Sequence, residues 1–295
     1  MNWMKYRLVY FVISATIIGA GLFAYVKWGL NIGIDFKGGT IVEYKFEAEV
    51  KEERLKELFE ATQLPTNSIQ KTSDKTYLVK TESMDSLRKS TIVVYLERNL
   101  EMKVEELRFE NVGPSIGPDL VKKTFYAMGI AAVLILLWIA VQFKSLKFGI
   151  SAVLAMFHDS LVLLGSFALL GHFFGAEIDF LFVTAALTIL SFSVHDTIVV
   201  YDRIRESQKK SGGTIYELAN KATTETMVRS LNNSFTIIFM LVALTLLGGT
   251  TVKWFAIALL IGTVSGTYSS PFVAVPILVT WDELQGRLRR SKFFF

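Results

Sequence analysis

Long apolar runs alternate with one long polar interval along this chain. An apolar run covers residues 8–28 and a polar interval residues 29–120. Five further apolar runs fall at about 125–142, 148–170, 180–201, 231–248 and 254–279, ahead of a basic tail at 282–295. Each run is near the roughly 20 residues that an α-helix needs to cross a bilayer. The pattern predicts an α-helical polytopic membrane protein with six transmembrane helices. One span precedes an α+β domain at 29–120, and a five-helix bundle fills residues 121–281.

The polar interval carries its own pattern. Residues 40–46 alternate apolar and polar after the turn at Gly38-Gly39, which predicts a strand. Leu55, Leu58 and Phe59 have helical spacing within 50–62. Residues 68–71 and 76–81 read as strands. Residues 83–100 read as a helix with Ser83 as N-cap and Leu87, Thr91, Val94 and Tyr95 on one face. A last strand at 104–112 turns Leu107 and Phe109 inward. The order is βαββαβ, the ferredoxin-like arrangement. It contains no catalytic constellation.

Composition agrees with a membrane chain: 52% of its 295 residues are hydrophobic, 23 of them Phe, and 20% are charged. The net charge of +4 invites a nucleic-acid reading, but the basic residues fall in particular segments. Lys5, Arg7, Lys144, Lys147, Arg203, Arg205, Lys209, Lys210, Lys221, Arg229 and the tail residues Arg287, Arg289, Arg290 and Lys292 share one side of a six-span topology. This asymmetry places both termini in the cytoplasm and the α+β domain outside. The first apolar run is too long for a signal-peptide core and reads as a retained anchor. With no cysteine, disulfides and thiolate metal sites are excluded.

Polar residues interrupt the spans. Asp196 follows His195 in the fourth span, where a carboxylate costs roughly 2.5–3.5 kcal/mol at helix centre. Thr184, Thr188, Ser191, His195 and Asp202 share one helical azimuth; Asp196 lies about 100° away, on the azimuth of Arg203. Arg229, at the cytoplasmic entrance of the fifth span, is at a depth compatible with pairing to Asp196. His158-Asp159 sits near the middle of the third span, with Ser151 and Ser166 each seven residues away. Blander readings stand beside these. Arg229 can snorkel to the interface, His158-Asp159 can be bundle glue, and Arg229 can neutralise Asp196 permanently. Gly262-x-x-x-Gly266 reads as a small-residue packing face, and Pro271 as a kink in the last span. The histidines lack metal-ligand spacing, the Gly-Gly-Thr triplets lack a phosphate-loop ending, and no Ser/His/Asp set falls in a water-accessible domain. An enzyme is not indicated.

Several runs together resemble the SecF family, the smaller membrane subunits of SecD–SecF protein-export complexes. Asp35-Phe36-Lys37-Gly38-Gly39-Thr40 matches its Asp-Phe-x-Gly-Gly-Thr, and Val112-Gly113-Pro114-Ser115-Ile116-Gly117 its Val-Gly-Pro-x-x-Gly. His158-Asp159, the run from Asp196 to Glu206 with Asp202-Arg203, Arg229-Ser230-Leu231-Asn232-Asn233-Ser234 and Gly266-Thr267-Tyr268-Ser269-Ser270 match further spans. The chain departs from the family at His195, where asparagine is usual, and at Asn233. His195 is therefore either a proton relay or a neutral hydrogen-bonding substitute.

The resemblance implies partnership with SecD, docking on the SecY–SecE–SecG channel, contact with exported polypeptide, and protons as coupling ion with no other cofactor. Asp196, Arg229, His195, His158 and Asp159 are the proton-coupling candidates, with Asp202 and Arg203 as a cytoplasmic motif. Two other functions remain open: half of a proton-driven exporter of the related resistance-nodulation-division superfamily, and a structural subunit that carries no protons.

Overall fold

The computed structural model describes residues 1–113 and 116–292. Pro114 and Ser115 of the Val-Gly-Pro-Ser-Ile-Gly run lie outside the described residues, as do residues 293–295 and the side chains of Arg287, Arg289, Arg290 and Lys292 in the basic tail. The chain divides into two compact units, residues 32–126 and residues 1–31 with 127–295.

After the first long helix, α1 (Arg7–Trp28), the smaller unit begins with a single turn, α2 (Ile34–Lys37). Gly39 then sits at φ +141°, and a Cβ there would lie 2.7 Å from the Thr81 carbonyl oxygen. Only glycine fits that turn without strain. The order continues β1 (Gly39–Phe46), α3 (Glu52–Ala61), β2 (Thr66–Ser73), β3 (Thr76–Thr81), α4 (Ser86–Leu100) and β4 (Val104–Val112). The strands form one antiparallel sheet in the order β2-β3-β1-β4. Val42, Tyr44 and Phe46 alternate onto the same face as Tyr77 and Val79, and Leu55, Leu58 and Phe59 of α3 with Ile92 and Leu96 of α4 complete this core.

Two expectations fail here for identifiable reasons. Asp85, not Ser83, caps α4, accepting from the Arg88 backbone N–H at 2.8 Å; the Ser83 hydroxyl instead donates to Asn111 Oδ1 at 2.7 Å. The buried face of α4 carries Ile92 and Leu96, while Leu87 and Val94 are 80% and 62% exposed. Both sets have helical spacing, so spacing alone does not decide between them. In β4 the register shifts opposite Glu43 and Tyr44, with Arg108 facing Glu43 and Glu106 facing Tyr44. That bulge leaves Leu107 as the extra residue and turns it outward, whereas Phe109 still packs against the core.

The larger unit is helical. It contains α1, most of α5 (Ile116–Phe143), then α6 (Leu146–Phe174), α7 (Phe180–Ser211), α8 (Ile215–Leu247) and α9 (Gly249–Ser269). A π-helical turn at Ser270–Ala274 joins α9 to α10 (Val275–Lys292). Among the described residues six helical stretches are long and apolar enough to cross a membrane. Asp179 caps α7 by accepting from Phe182 N–H at 2.7 Å. The segment 202–229, between the fourth and fifth apolar runs, is itself almost entirely helical: α7 runs on to Ser211, and α8 starts after Gly212, Gly213 and Thr214. Thr214 and Glu217 form a reciprocal capping box that fixes this start.

The α6, α7 and α9 helices make the centre of the bundle. Gly262 faces Ile189 and Gly266 faces Ser193, so the small-residue face of α9 lies against α7. On the other side of α6, Gly165 meets Gly21 of α1 backbone to backbone: a Cβ on Gly165 would lie 2.5 Å from the Gly21 Cα. The α5 helix is mostly exposed and packs through Ile139 and Phe143, whose ring stacks on Phe148 at 5.2 Å. Pro271 falls in the π turn. Lacking an N–H, it cannot continue the α-helical ladder, and one extra residue is accommodated there. Tyr201 donates to the Ala274 carbonyl at 3.2 Å, and Ser270 to the Gly266 carbonyl at 3.1 Å. Charged pairs gather at one end of the bundle: Lys147–Asp282 at 2.5 Å, Arg7–Glu283 at 2.8 Å and Arg203–Glu225 at 2.5 Å.

Candidate functional site

Asp196 lies at the inner side of α7, 4% exposed, and its Oδ2 accepts the Ser230 hydroxyl of α8. Arg229 makes no ion pair with it among the described residues; its side chain is exposed. Consecutive helical residues point about 100° apart, so a Ser230 that faces α7 sends Arg229 outward. The expected Asp196–Arg229 pair is thus replaced by Asp196–Ser230. Arg229 shares that outward exposure with Asn232, Asn233 and Thr236.

The stripe on α7 is also on the outside. Thr184, Thr188, Ser191, His195 and Asp202 are all exposed, and His195 makes no hydrogen bond among the described residues. Thr184 and Thr188 satisfy their hydroxyls on the carbonyls of Phe180 and Thr184, at 3.0 and 2.8 Å. Arg203 points elsewhere: its guanidinium holds Glu225 of α8 and Glu206, the latter at 2.6 Å. The Asp202-Arg203 run therefore ties the α7–α8 hairpin together through its arginine.

His158-Asp159 forms a separate polar knot. Asp159 is fully buried, and three hydroxyls from two other helices converge on it. Ser193 of α7 donates to Oδ2 at 2.5 Å, Ser265 of α9 to Oδ1 at 2.5 Å, and Ser269 of α9 to Oδ2 at 2.6 Å. His158 Nδ1 lies 3.0 Å from Oδ1. Sequence spacing had pointed to Ser151 and Ser166 instead. Ser151 pairs with the Tyr201 hydroxyl at 2.6 Å, and Ser166 with its own helix at the Val162 carbonyl, 2.7 Å away. Spacing on one helix finds neighbours on that helix, whereas a buried carboxylate is satisfied from across the bundle. Ser265 and Ser269, four residues apart on one face of α9, were the available signal.

The knot and Asp196 share helix α7. Ser193 is three residues before Asp196, and its carbonyl accepts from Thr197 at 3.0 Å and Ser270 at 3.2 Å. Thr197 and Ser270 hydroxyls lie 2.9 Å apart. Hydroxyls and the Ser193 backbone carbonyl therefore lead from Asp159 along α7 to the π turn, on the same helix that carries Asp196. Such an arrangement can hold a charge or a proton inside the bundle and can transmit its loss to helix packing. It offers no nucleophile activated by a base.

The relatives agree with this architecture. The model of the family described as "Protein export membrane protein SecD/SecF, C-terminal" matches residues 92–284, and that of the "SecD/SecF GG Motif" matches residues 29–50. The protein translocase subunit SecF of Thermobaculum terrenum is 41% identical over 95% of this chain and 93% of its own length. That of Anaerolinea thermophila is 35% identical over 97% of this chain and 96% of its own. The crystal structure of SecDF, a translocon-associated membrane protein from Thermus thermophilus, superposes with a TM-score of 0.83 at 31% identity, over 96% of this chain. The chain spans only 39% of that SecDF. With relatives 41% and 35% identical along nearly their whole length, and a family model that matches residues 92–284, the chain belongs to the SecF family of protein translocase subunits.

Proposed function

We propose that this subunit couples proton movement to the export of polypeptides across the bacterial cytoplasmic membrane, with Asp196 as the proton carrier. The observation that carries the reading is the buried Asp196 carboxylate, bonded across the α7–α8 contact to Ser230. In the ionised state it holds that hydroxyl as a strong acceptor; protonation weakens the bond and lets the two helices shift. Arg229 and His195 stand on the outer surface of the same two helices, where a partner or water can reach them. His158 and Asp159 serve as a second candidate pair.

SecD is the expected partner, because a related chain exists as a single SecDF. The exposed polar residues on α7 and α8 support it: Ser191, His195, Arg229, Asn232 and Asn233 would be poorly satisfied against lipid tails. The complex would dock on the SecY–SecE–SecG channel. The positive-inside bias supports cytoplasmic termini and an external ferredoxin-like domain, which would touch the exported chain rather than catalyse.

The test is export into membrane vesicles with and without an imposed proton gradient. Asp196→Asn is expected to preserve expression and SecD co-purification while removing the gradient-dependent increment of export. Normal stimulation in that variant contradicts the assignment and favours a structural subunit.

A further inference from the structure

The residues just ahead of α1 are fastened to the first turns of α8. Tyr216 donates its hydroxyl to Asn2 Oδ1 at 2.7 Å, Asn220 Oδ1 accepts the Met4 backbone N–H at 2.9 Å, and Thr224 Oγ1 accepts the Trp3 indole N–H at 2.9 Å. Residues 216, 220 and 224 are four apart and so form one stripe on the helix. Met4, in a 3₁₀ turn at Trp3–Tyr6, is 1% exposed and shares a core cluster with Ile215, Leu218 and Ala219 of α8. Three hydrogen bonds and one buried side chain therefore make residues 2–4 ride on α8.

The same segment also grips the π turn. The Phe272 ring lies between Trp3 and Tyr10, with ring centres 5.9 and 4.7 Å away. Tyr268, one turn earlier, donates to the Tyr10 carbonyl at 3.0 Å. Both gripped elements are bonded in turn to α7. Ser230 of α8 donates to Asp196, and the π turn meets Thr197 and Tyr201 through Ser270 and Ala274. Thr224 precedes Ser230 by six residues, about 9 Å along one uninterrupted helix. A displacement at Ser230 thus reaches Thr224 and Asn220 through a stiff element, and contiguous packed elements of this kind carry coupling between sites.

We propose that residues 2–10 form a positioning strap, which ties α8 to the π turn so that a shift of α8 against α7 is delivered to the π turn and to α1. The proposal rests on the reading that α8 shifts against α7 during export. Trp3 and Asn220 are the positioning residues. Trp3 serves both ends, with its indole N–H on α8 and its ring beside Phe272. Asn220 holds the backbone between them. Without these bonds α8 could tilt at the Asp196 contact while the π turn and α1 stayed in place.

The test uses the SecD-bound protein in membrane vesicles, with export measured with and without an imposed proton gradient. Trp3→Phe combined with Asn220→Leu keeps a ring beside Phe272 but removes two of the three bonds. This variant is expected to retain SecD co-purification and gradient-independent export, and to lose most of the gradient-dependent increment. Asn220→Asp, which keeps the acceptor for the Met4 N–H, should restore the increment when it replaces Asn220→Leu. The chain has no cysteine, so spin labels at Lys5→Cys and Lys221→Cys, both exposed positions, read the strap directly. Their separation should be narrowly distributed in the native background and broadened in Trp3→Phe/Asn220→Leu. A broadened separation with a full gradient increment overturns the proposal, as does a separation that stays narrow. An equal loss of gradient-independent export also overturns it, since that is a merely structural role. Native stimulation in Asp196→Asn would count against the proton carrier alone, so the two failures are distinguishable.

Discussion

Ser230 and Arg229 are neighbours in the chain, yet helical geometry turns them about 100° apart on α8. Charge alone suggests that an aspartate in a membrane span should seek the nearby arginine. In the structure the short serine, buried at 7% exposure, reaches Asp196 and the arginine does not. Two consequences separate these residues. Ser230→Ala removes the hydroxyl donor of a buried carboxylate and is expected to lower stability by about 1–3 kcal/mol. Arg229→Gln should leave the unfolding temperature of the isolated subunit unchanged, since its side chain is exposed. Thermal unfolding of the two purified variants in detergent checks this; equal destabilisation would restore the ion pair. The ionisable residues themselves were legible in the sequence because charge at that depth is rare. Their partners were not, because Ser193, Ser265 and Ser269 are unremarkable residues on helices whose rotation about their own axes is set by packing.

At the scale of elements, hydropathy located each span but not its ends. The apolar signal of the fifth span begins near residue 231, whereas α8 starts at Ile215. The capping signature Thr214-x-x-Glu217 marked that start, but a search for lipid-length apolar runs passes over it. The Leu107 bulge shows the reverse difficulty: strict alternation continues on paper while one inserted residue flips the parity. Close helix crossings are also hidden in single glycines. Gly165 against Gly21 leaves no room for a methyl group. Gly165→Ala must therefore push α1 away from α6, and overpacking of this kind costs about 1–3 kcal/mol. A fall in the unfolding midpoint, with Gly19→Ala as the tolerated control on an open face of α1, is the expected result. An unchanged midpoint for Gly165→Ala would show that α1 is not seated at this crossing.

For the whole molecule, the two units follow from two sequence regimes, period two or short amphipathic helices in residues 32–126 and long apolar helices elsewhere. The sheet order β2-β3-β1-β4 was implicit in the element order, because split β-α-β units interleave in this way. Each unit has its own buried core, so they should be separable in folding but not in function. Replacing residues 40–112 with a flexible linker is expected to leave the helices membrane-inserted and SecD-bound, with export stimulation abolished. Retained stimulation in vesicles would assign the α+β domain no part in export.

The claim on which the functional account turns is that Asp196 changes its protonation state within the working range of the assembled subunits. Infrared difference spectroscopy of the SecD-bound protein, recorded across a pH step, reads this directly from the carbonyl stretch of a protonated carboxylic acid. A pH-dependent band that disappears in Asp196→Asn and persists in Asp202→Asn is expected. An identical spectrum in Asp196→Asn and the native protein would contradict a proton carried at this residue.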